Sequence, residues 1–440
     1  MSTASQLGPI RLAPGVSRWN ALTFLYAALA SVCLLAFLSF IQPYALNVNL
    51  RIPPEMQGRA TLVLGVLNEI VTLLLIGPFG ALSDKIGRRP LYVLGFLWIA
   101  AGFAVIPLST TFSQLVLTTM FWSVGAAAVG AMLATVLADI PQERSRGALV
   151  GLTGLLQCAG ILIGIFVLSR LPKHFALQGY DAITAGRLTY WSAAALCIVS
   201  AIVCLAGLQR GRPAASHQHE HAYEHEHESW PRLLQQGASA AASNPRILLG
   251  YAANFVARAD IVIIGTYFSL RVTQAGLDRG LHAPEAIAHA GRVYGIAQFA
   301  ALVGAGLFLL ISDRFDRVTT VAAAMVFAAI GYAWVGAADP FATAMYVAAV
   351  AMGLGELGAI LSAQLLLGQE APLRLRGSVL GLAGLFGSLG VLFANLVAGP
   401  LYDFWSHSAP FYVVGACNLV VLAWAAWIKA RYPVAPPSQE

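Results

Sequence analysis

"GALSDKIGRR", Gly80 to Arg89, sets four charged residues and two glycines between two long apolar runs, 60–82 and 90–110. Each run is long enough, as a helix, to cross the hydrocarbon core of a bilayer, which takes about 20 apolar residues. The decapeptide therefore reads as a tight charged turn joining two membrane helices at the water boundary. It has an echo. "SDKIGRR" (83–89) returns as "SDRFDRV" (312–318), with Asp84 matching Asp313 and Arg88 matching Arg317. "RSRGALVGLTGLL" (144–156) returns as "RLRGSVLGLAGLF" (374–386), pairing Arg144 with Arg374, Arg146 with Arg376, Gly147 with Gly377, Gly151 with Gly381 and Gly154 with Gly384, each 230 residues apart. Two separate loops that keep nearly one offset mark a duplicated unit.

Composition points the same way. Of 440 residues 58% are apolar and 10% charged, against about 25% charged in soluble domains. A chain so poor in charge cannot cover a surface that faces water. Candidate spans fall at 20–44, 60–82, 90–110, 112–138, 147–169 and 187–208, then at 247–271, 287–311, 318–337, 342–368, 377–399 and 409–429. Lipid offers the backbone no hydrogen bonds, so spans of this length are helices. The expected fold is an all-α membrane protein, twelve transmembrane helices in two pseudo-symmetric six-helix bundles. The expected division is 1–208, a cytoplasmic linker at 209–245, and 246–440. With both termini and the linker in the cytoplasm, 17 of the 26 Lys and Arg residues lie inside, eight outside, and Arg258 within the membrane. That agrees with the positive-inside rule and suits the cytoplasmic membrane. The basic residues sit in short connections, not on one patch, so no nucleic acid is expected. Cys33, Cys158, Cys197, Cys204 and Cys417 all lie in apolar runs without metal or redox spacing and read as packing residues. The polar first 18 residues and the long first apolar run argue against a cleavable secretory signal.

Gly80–Arg89 resembles the loop signature of the major facilitator superfamily, G-x-L-[AS]-D-[RK]-x-G-R-[RK], at every defined position. The second copy departs from it: Leu309 and Asp316 replace the two glycines. "DIPQERSRG" (139–147) resembles that family's acidic-then-Arg-Gly loop between its fourth and fifth helices. The resemblance implies a gate. Asp84 would meet the positive end of the eleventh helix, Arg88 would pair with Asp139, and both contacts would break as the cytoplasmic side opens. The motif residues implied are Gly80, Asp84, Gly87, Arg88, Arg89, Asp139, Arg146, Asp313, Arg317 and Arg376. The plainer reading is a loop anchored at headgroup level. "RGALVGLTGLLQCAGILIG" is similar to the sugar-porter branch, but "LQRGRPAAS" replaces that branch's signature after the sixth span, and the fifth span lacks the G-x-x-x-G-P run of drug antiporters. No subfamily follows.

Four ionisable residues lie deep in apolar spans: Glu69 in the second, Arg258 and Asp260 in the seventh, Glu356 in the tenth. A charge at the bilayer centre costs about 2.5–3.5 kcal/mol on insertion scales. The resemblance implies that the first, fourth, seventh and tenth helices line a central cavity, which brings Glu356 and at least one of Arg258 and Asp260 there. Two apart on a helix, Arg258 and Asp260 point to different faces, so Arg258 is expected to pair with Glu356 or Glu69. Fully ionised, the set sums to −2, which favours protonating one carboxylate or binding a cation. The alternative is a buried ion pair that fixes helix packing. Asn254, one turn before Arg258, and Tyr294 and Gln298 in the eighth span complete the expected coupling and solute set. Gln157, Trp122, Ser123 and Asn395 are weaker candidates, more typical of hydrogen bonds between helices.

"SHQHEHAYEHEHES" (216–229) carries His217, His219, His221, His225 and His227 among four glutamates. Its low complexity and lack of an apolar face make it a linker. It could bind zinc or nickel weakly, yet no His or Cys is placed at mid-depth to continue a metal path. The following "SWPRLLQQGASAAASNP" could form an interfacial helix anchored by Trp230 and Leu233. The expected function is secondary active transport of a small organic solute by alternating access, proton-coupled as symport or antiport, by a monomer without cofactor. The alternatives are efflux of a divalent metal through the His-rich loop, and a non-transporting receptor of the same fold. No nucleophile–base pair or metal constellation supports an enzyme.

Overall fold

The computed structural model describes residues 6–8, 10–142, 145–209, 230–312, 314–372 and 375–432. Among them, 12 helical segments are long and apolar enough to cross a membrane. The helices are α1 (Arg18–Tyr44), α2 (Pro54–Ile86), α3 (Arg88–Val105), α4 (Phe112–Asp139), α5 (Arg146–Ile163), α6 (Leu171–Leu177), α7 (Ala182–Gly207), α8 (Trp230–Ser243), α9 (Pro245–Val262), α10 (Phe268–Asp278), α11 (Ala283–Ser312), α12 (Arg317–Ala337), α13 (Thr343–Glu370), α14 (Arg376–Phe404) and α15 (Ala409–Arg431). Short π-helical turns extend α1 over Ala45–Asn49 and α5 over Gly164–Leu168, and Ile263–Tyr267 joins α9 to α10. The all-helical, twelve-span architecture is the one the apolar runs predict, and the chain is a multi-pass membrane protein.

Local chemistry sets the helix ends. Ser17 and Asn20 close a capping box on α1, Thr111 caps α4, Asp181 caps α7 and Asn244 caps α9. Proline at the first position opens α2 and α9, where its missing N–H costs nothing. α2 starts six residues before the apolar run because Glu55 and Arg59 occupy its first turns. Large apolar side chains stand exposed along many spans, among them Leu74 at 68%, Leu117 at 66% and Leu310 at 69%. Hydrocarbon is the medium that can cover them.

The helices form two compact units. The first takes in the described residues of Met1–Pro53, Val63–His227 and Thr273–Arg292; the second, those of Pro54–Leu62, Glu228–Val272 and Val293–Glu440. In the first, α3 packs on α4 and α7, and α1 on α5. In the second, α12 packs on α13 and α15, and α9 on α14 and α13. The duplication extends into this packing. Gly102 of α3 lies against Trp122, and Gly125 of α4 against the backbone of Ile99. In the second unit Gly331 of α12 lies against the backbone of Met352, and Gly355 of α13 against Ala328. Gly102 and Gly331, like Gly125 and Gly355, stand at the repeat offset. At these two crossings any side chain would force the helices apart.

Two small elements complete the units. A hairpin, β1 (Gln6–Leu7) and β2 (Ile10–Arg11), leads into a segment that lies along the loop after α4. There Ala13 N donates to Ile140 O at 2.9 Å, Gln142 N to Arg11 O at 2.9 Å, and Arg11 N to Ser145 Oγ at 3.0 Å. In the second unit α8 lies on α14 and α9: Ser378 Oγ donates to Gln236 Oε1 at 2.8 Å and Tyr251 Oη to Gly237 O at 3.2 Å. Ala240 and Ala241 of α8 are buried with Ile247, Tyr251, Leu367 and Val379.

Candidate functional site

The second unit holds two buried carboxylates. Glu356, midway along α13, is 4% exposed, and Gln298 Nε2 of α11 donates to its Oε2 at 2.8 Å. Asp260 of α9 is 0% exposed, and Asn418 Nδ2 of α15 lies 3.0 Å and 3.3 Å from its two oxygens. Tyr332 of α12 donates to the backbone oxygen of Asp260 at 3.1 Å. The fields of Asp260, Glu356 and Tyr294 all reach Tyr332, so these side chains form one electrostatic cluster. Tyr294 is buried beside Phe268, with ring centroids 6.0 Å apart.

Arg258 does not join that cluster. Of the two expected partners, Glu69 belongs to the other unit and Glu356 is not bonded to Arg258: among the described residues of the second unit, no carboxylate lies within ion-pair distance of Arg258. The cause is helical geometry. Arg258 and Asp260 lie on different faces of α9; Asp260 turns inward to α15, while Arg258 is exposed and lies along α14 at Gly387. Asn254, one turn earlier on the Arg258 face, donates to Ala383 O of α14 at 2.6 Å. Glu69 is half-buried in α2 and belongs to the first unit. Beside it, Asn68 accepts from Ser123 Oγ of α4 at 2.6 Å. Asn68 and Gln298 stand 230 residues apart, and each ties the second helix of its half to the fourth. Trp122 is buried, and no acceptor among the described residues reaches its Nε1. Asn395 donates to Val391 O within its own helix.

At the α2–α3 turn, Gly87 takes φ 95°, a left-handed conformation that favours glycine, and ends α2 as it begins α3. This brings Arg88 over the end of α4. Arg88 Nε donates to Asp139 Oδ2 at 2.9 Å, and its Nη1 donates to Ser83 Oγ and to Asp84. The Asp84 side chain is 61% exposed; those of Arg88 and Asp139 are 19% and 26%. Gly80 and Arg89 are half-buried in the same turn. In the second half Arg317 Nε donates to Gln369 Oε1 at 3.3 Å, so an amide stands where the first half has Asp139. Arg246 of α9 is the hub on that side, 3.3 Å from both Asp316 and Glu370. Arg376 is exposed at the start of α14. Asp313 and the side chain of Arg146 lie outside the described residues, as do His217, His219, His221, His225 and His227. Among the described residues no group of three His, Cys, Asp or Glu side chains is arranged to hold a metal.

Residues 21–309 and 248–440 match the sequence profile of the Major Facilitator Superfamily. The chain belongs to that family. Magnetosome protein MamZ of Magnetospirillum gryphiswaldense is 28% identical over 435 residues, 96% of this chain and 64% of MamZ, so the chain spans less than two thirds of that relative. Magnetosome protein MamH of Paramagnetospirillum magneticum is 27% identical over 431 residues, 94% of this chain and 93% of MamH. The crystal structure of a D-xylose–proton symporter superposes with a TM-score of 0.66 at 15% identity, over 94% of this chain and 97% of the symporter. At that identity the likeness speaks for the fold.

Within this superfamily member, sequence reasoning passed over three polar residues: Asn68, Tyr332 and Asn418. Asn418 left a legible signal. It is a lone amide inside "GACNLVV", the middle of the last span, and an intramembrane amide needs a partner. Tyr332 left none, because a tyrosine near a span end is ordinary.

Proposed function

We propose that this chain is a secondary active transporter and not an enzyme. It moves a small organic solute across the cytoplasmic membrane by alternating access, with both termini in the cytoplasm, as a monomer that needs no cofactor. The coupling ion is the proton, carried by Glu356. The observation behind this reading is the setting of Glu356: 4% exposed at mid-helix, held by the neutral amide of Gln298, with no cationic partner among the described residues of its unit. A charge buried without a counter-ion is costly, and a proton removes that cost. A proton on and off at this position changes the charge of the second unit by one.

Arg258 supplies the other half. An exposed guanidinium at mid-span, with no carboxylate of its unit in reach, suits a solute that bears a negative group. It does not suit a metal cation. Asn254, one turn away on the same face, would orient the solute beside Arg258, and Tyr294 and Gln298 would act on the side of Glu356. Asp84, Arg88 and Asp139 would hold the cytoplasmic gate, through the bond from Arg88 to Asp139 at 2.9 Å.

The test is reconstitution of the full chain and of Glu356→Gln in proteoliposomes. The Gln variant should lose gradient-driven accumulation and keep counterflow exchange. Undiminished uphill transport by that variant would remove Glu356 from the coupling step.

A further inference from the structure

We propose that Asp260 and Asn418 form a second proton-binding site, in which a protonated carboxyl and an amide close a reciprocal pair of hydrogen bonds. Both side chains are 0% exposed. Asn418 Nδ2 lies 3.0 Å from Asp260 Oδ1, 3.3 Å from Oδ2 and 3.0 Å from Val414 O. One amide hydrogen thus serves the carbonyl of its own helix, and the other is shared by two carboxylate oxygens. The amide oxygen is left over. Among the described residues no donor reaches Asn418 Oδ1, and a buried acceptor left unmade is costly.

A proton on Asp260 resolves this. The acid O–H donates to Asn418 Oδ1, while Asn418 Nδ2 keeps donating to the other carboxyl oxygen and to Val414 O. Every polar atom of the pair is then satisfied. One O–H bond forms on loading and breaks on release, and no other bond changes. A metal ion fits the place poorly. The pair offers three oxygens, with the amide nitrogen in front of two of them, whereas hard cations such as calcium take six to eight.

The titratable and charged groups around Asp260 are few. Glu356 of α13 is the carboxylate whose field reaches it. Tyr332 of α12 spends its hydroxyl on the Asp260 backbone oxygen. Tyr294 of α11 belongs to the same electrostatic cluster, and Cys417 of α15 lies within the field of Asp260. Arg258 points away on the other face of α9. The inference deepens the proton-coupled reading: the second unit would carry two proton-loading carboxyls, Glu356 and Asp260.

Infrared difference spectroscopy of the full chain in lipid nanodiscs, titrated with protons alone, tests this without any solute. The Glu356→Gln protein should still show a protonated-carboxyl C=O band that shifts in heavy water. Asp260→Asn should abolish that residual band, and it keeps the fold, because an amide can form the same paired bonds with Asn418. Asn418→Leu should leave the band but move it to higher frequency, the mark of a carboxyl C=O that has lost the hydrogen-bond donor Asn418 Nδ2. The proposal is overturned if Glu356→Gln shows no protonated-carboxyl band, or if the band survives Asp260→Asn. A titration that moves when sodium replaces choline would overturn it in favour of a metal-cation site. Failure of the Glu356 reading would appear in proteoliposome transport and leave this band in place.

Discussion

Asp139 and Gln369 occupy equivalent places in the two halves, and each accepts from an arginine of the repeated loop. The first pair is ionic and partly buried; the second is a longer hydrogen bond from a guanidinium to a neutral amide oxygen. Asp139→Asn would give the first half the chemistry of the second. A charge-assisted bond that is about a quarter exposed is worth roughly 1–2 kcal/mol, less than a fully buried ion pair. The variant should therefore unfold a few degrees lower in detergent, and the loss should shrink at high salt. Arg258 makes a different prediction. If it meets a negative group of the solute, Arg258→Gln should raise KM at least about tenfold, equal to about 1.4 kcal/mol, with little change in thermal stability. A drop in stability with unchanged KM would mark it as a packing residue instead. At this scale the sequence was partly legible. Mid-span charges stand out because lipid makes them costly, but their partners depend on helix rotation, which no spacing rule gave for Arg258.

Among the elements, the paired crossings α3–α4 and α12–α13 bring glycines of each helix against the facing helix. Gly331→Leu must push α12 off Met352. Overpacking of this kind costs about 1–3 kcal/mol and should appear as a lower melting temperature and a poorer yield of folded protein. The equivalent change at Gly102 meets Cβ and the backbone Cα of buried Trp122 and should be destabilising in the same way. The long helices were readable because lipid demands uninterrupted apolar length. α8 was readable from its amphipathic run. The hairpin before α1 was not, since strands of two residues carry no periodic signal, nor were the π-helical turns, which no residue type announces. Residues 11–13 hold the loop that follows Asp139 through backbone bonds. Removing residues 6–12 should increase hydrogen exchange over 140–145 and leave the α9–α15 amides unchanged.

The whole molecule is a duplicated six-helix unit. The duplication was visible in two loops before the packing glycines and the Asn68–Ser123 and Gln298–Glu356 links extended it into the membrane. The repeat named the fold because it needs only an offset. It could not name the solute, because an offset says only what the halves share and nothing of the polar residues in which they differ. Residues 217–228 lie between the halves. If the histidines are a linker, deleting them should leave solute transport nearly unchanged: α8 begins at Trp230, and the nine residues that remain of 209–229 still span up to about 30 Å when extended. Loss of zinc, nickel or cobalt tolerance in cells that carry the deletion would point to metal handling instead. The most direct measurement of the central claim uses proteoliposomes with an imposed pH gradient, supplied with isotope-labelled cell extract, with organic solutes and metals counted in the same lumen. Proton coupling through Glu356 predicts that at least one anionic organic solute accumulates only with the gradient, and that this accumulation vanishes in Glu356→Gln. Accumulation of metal ions alone, or of the solute equally in both proteins, would contradict it.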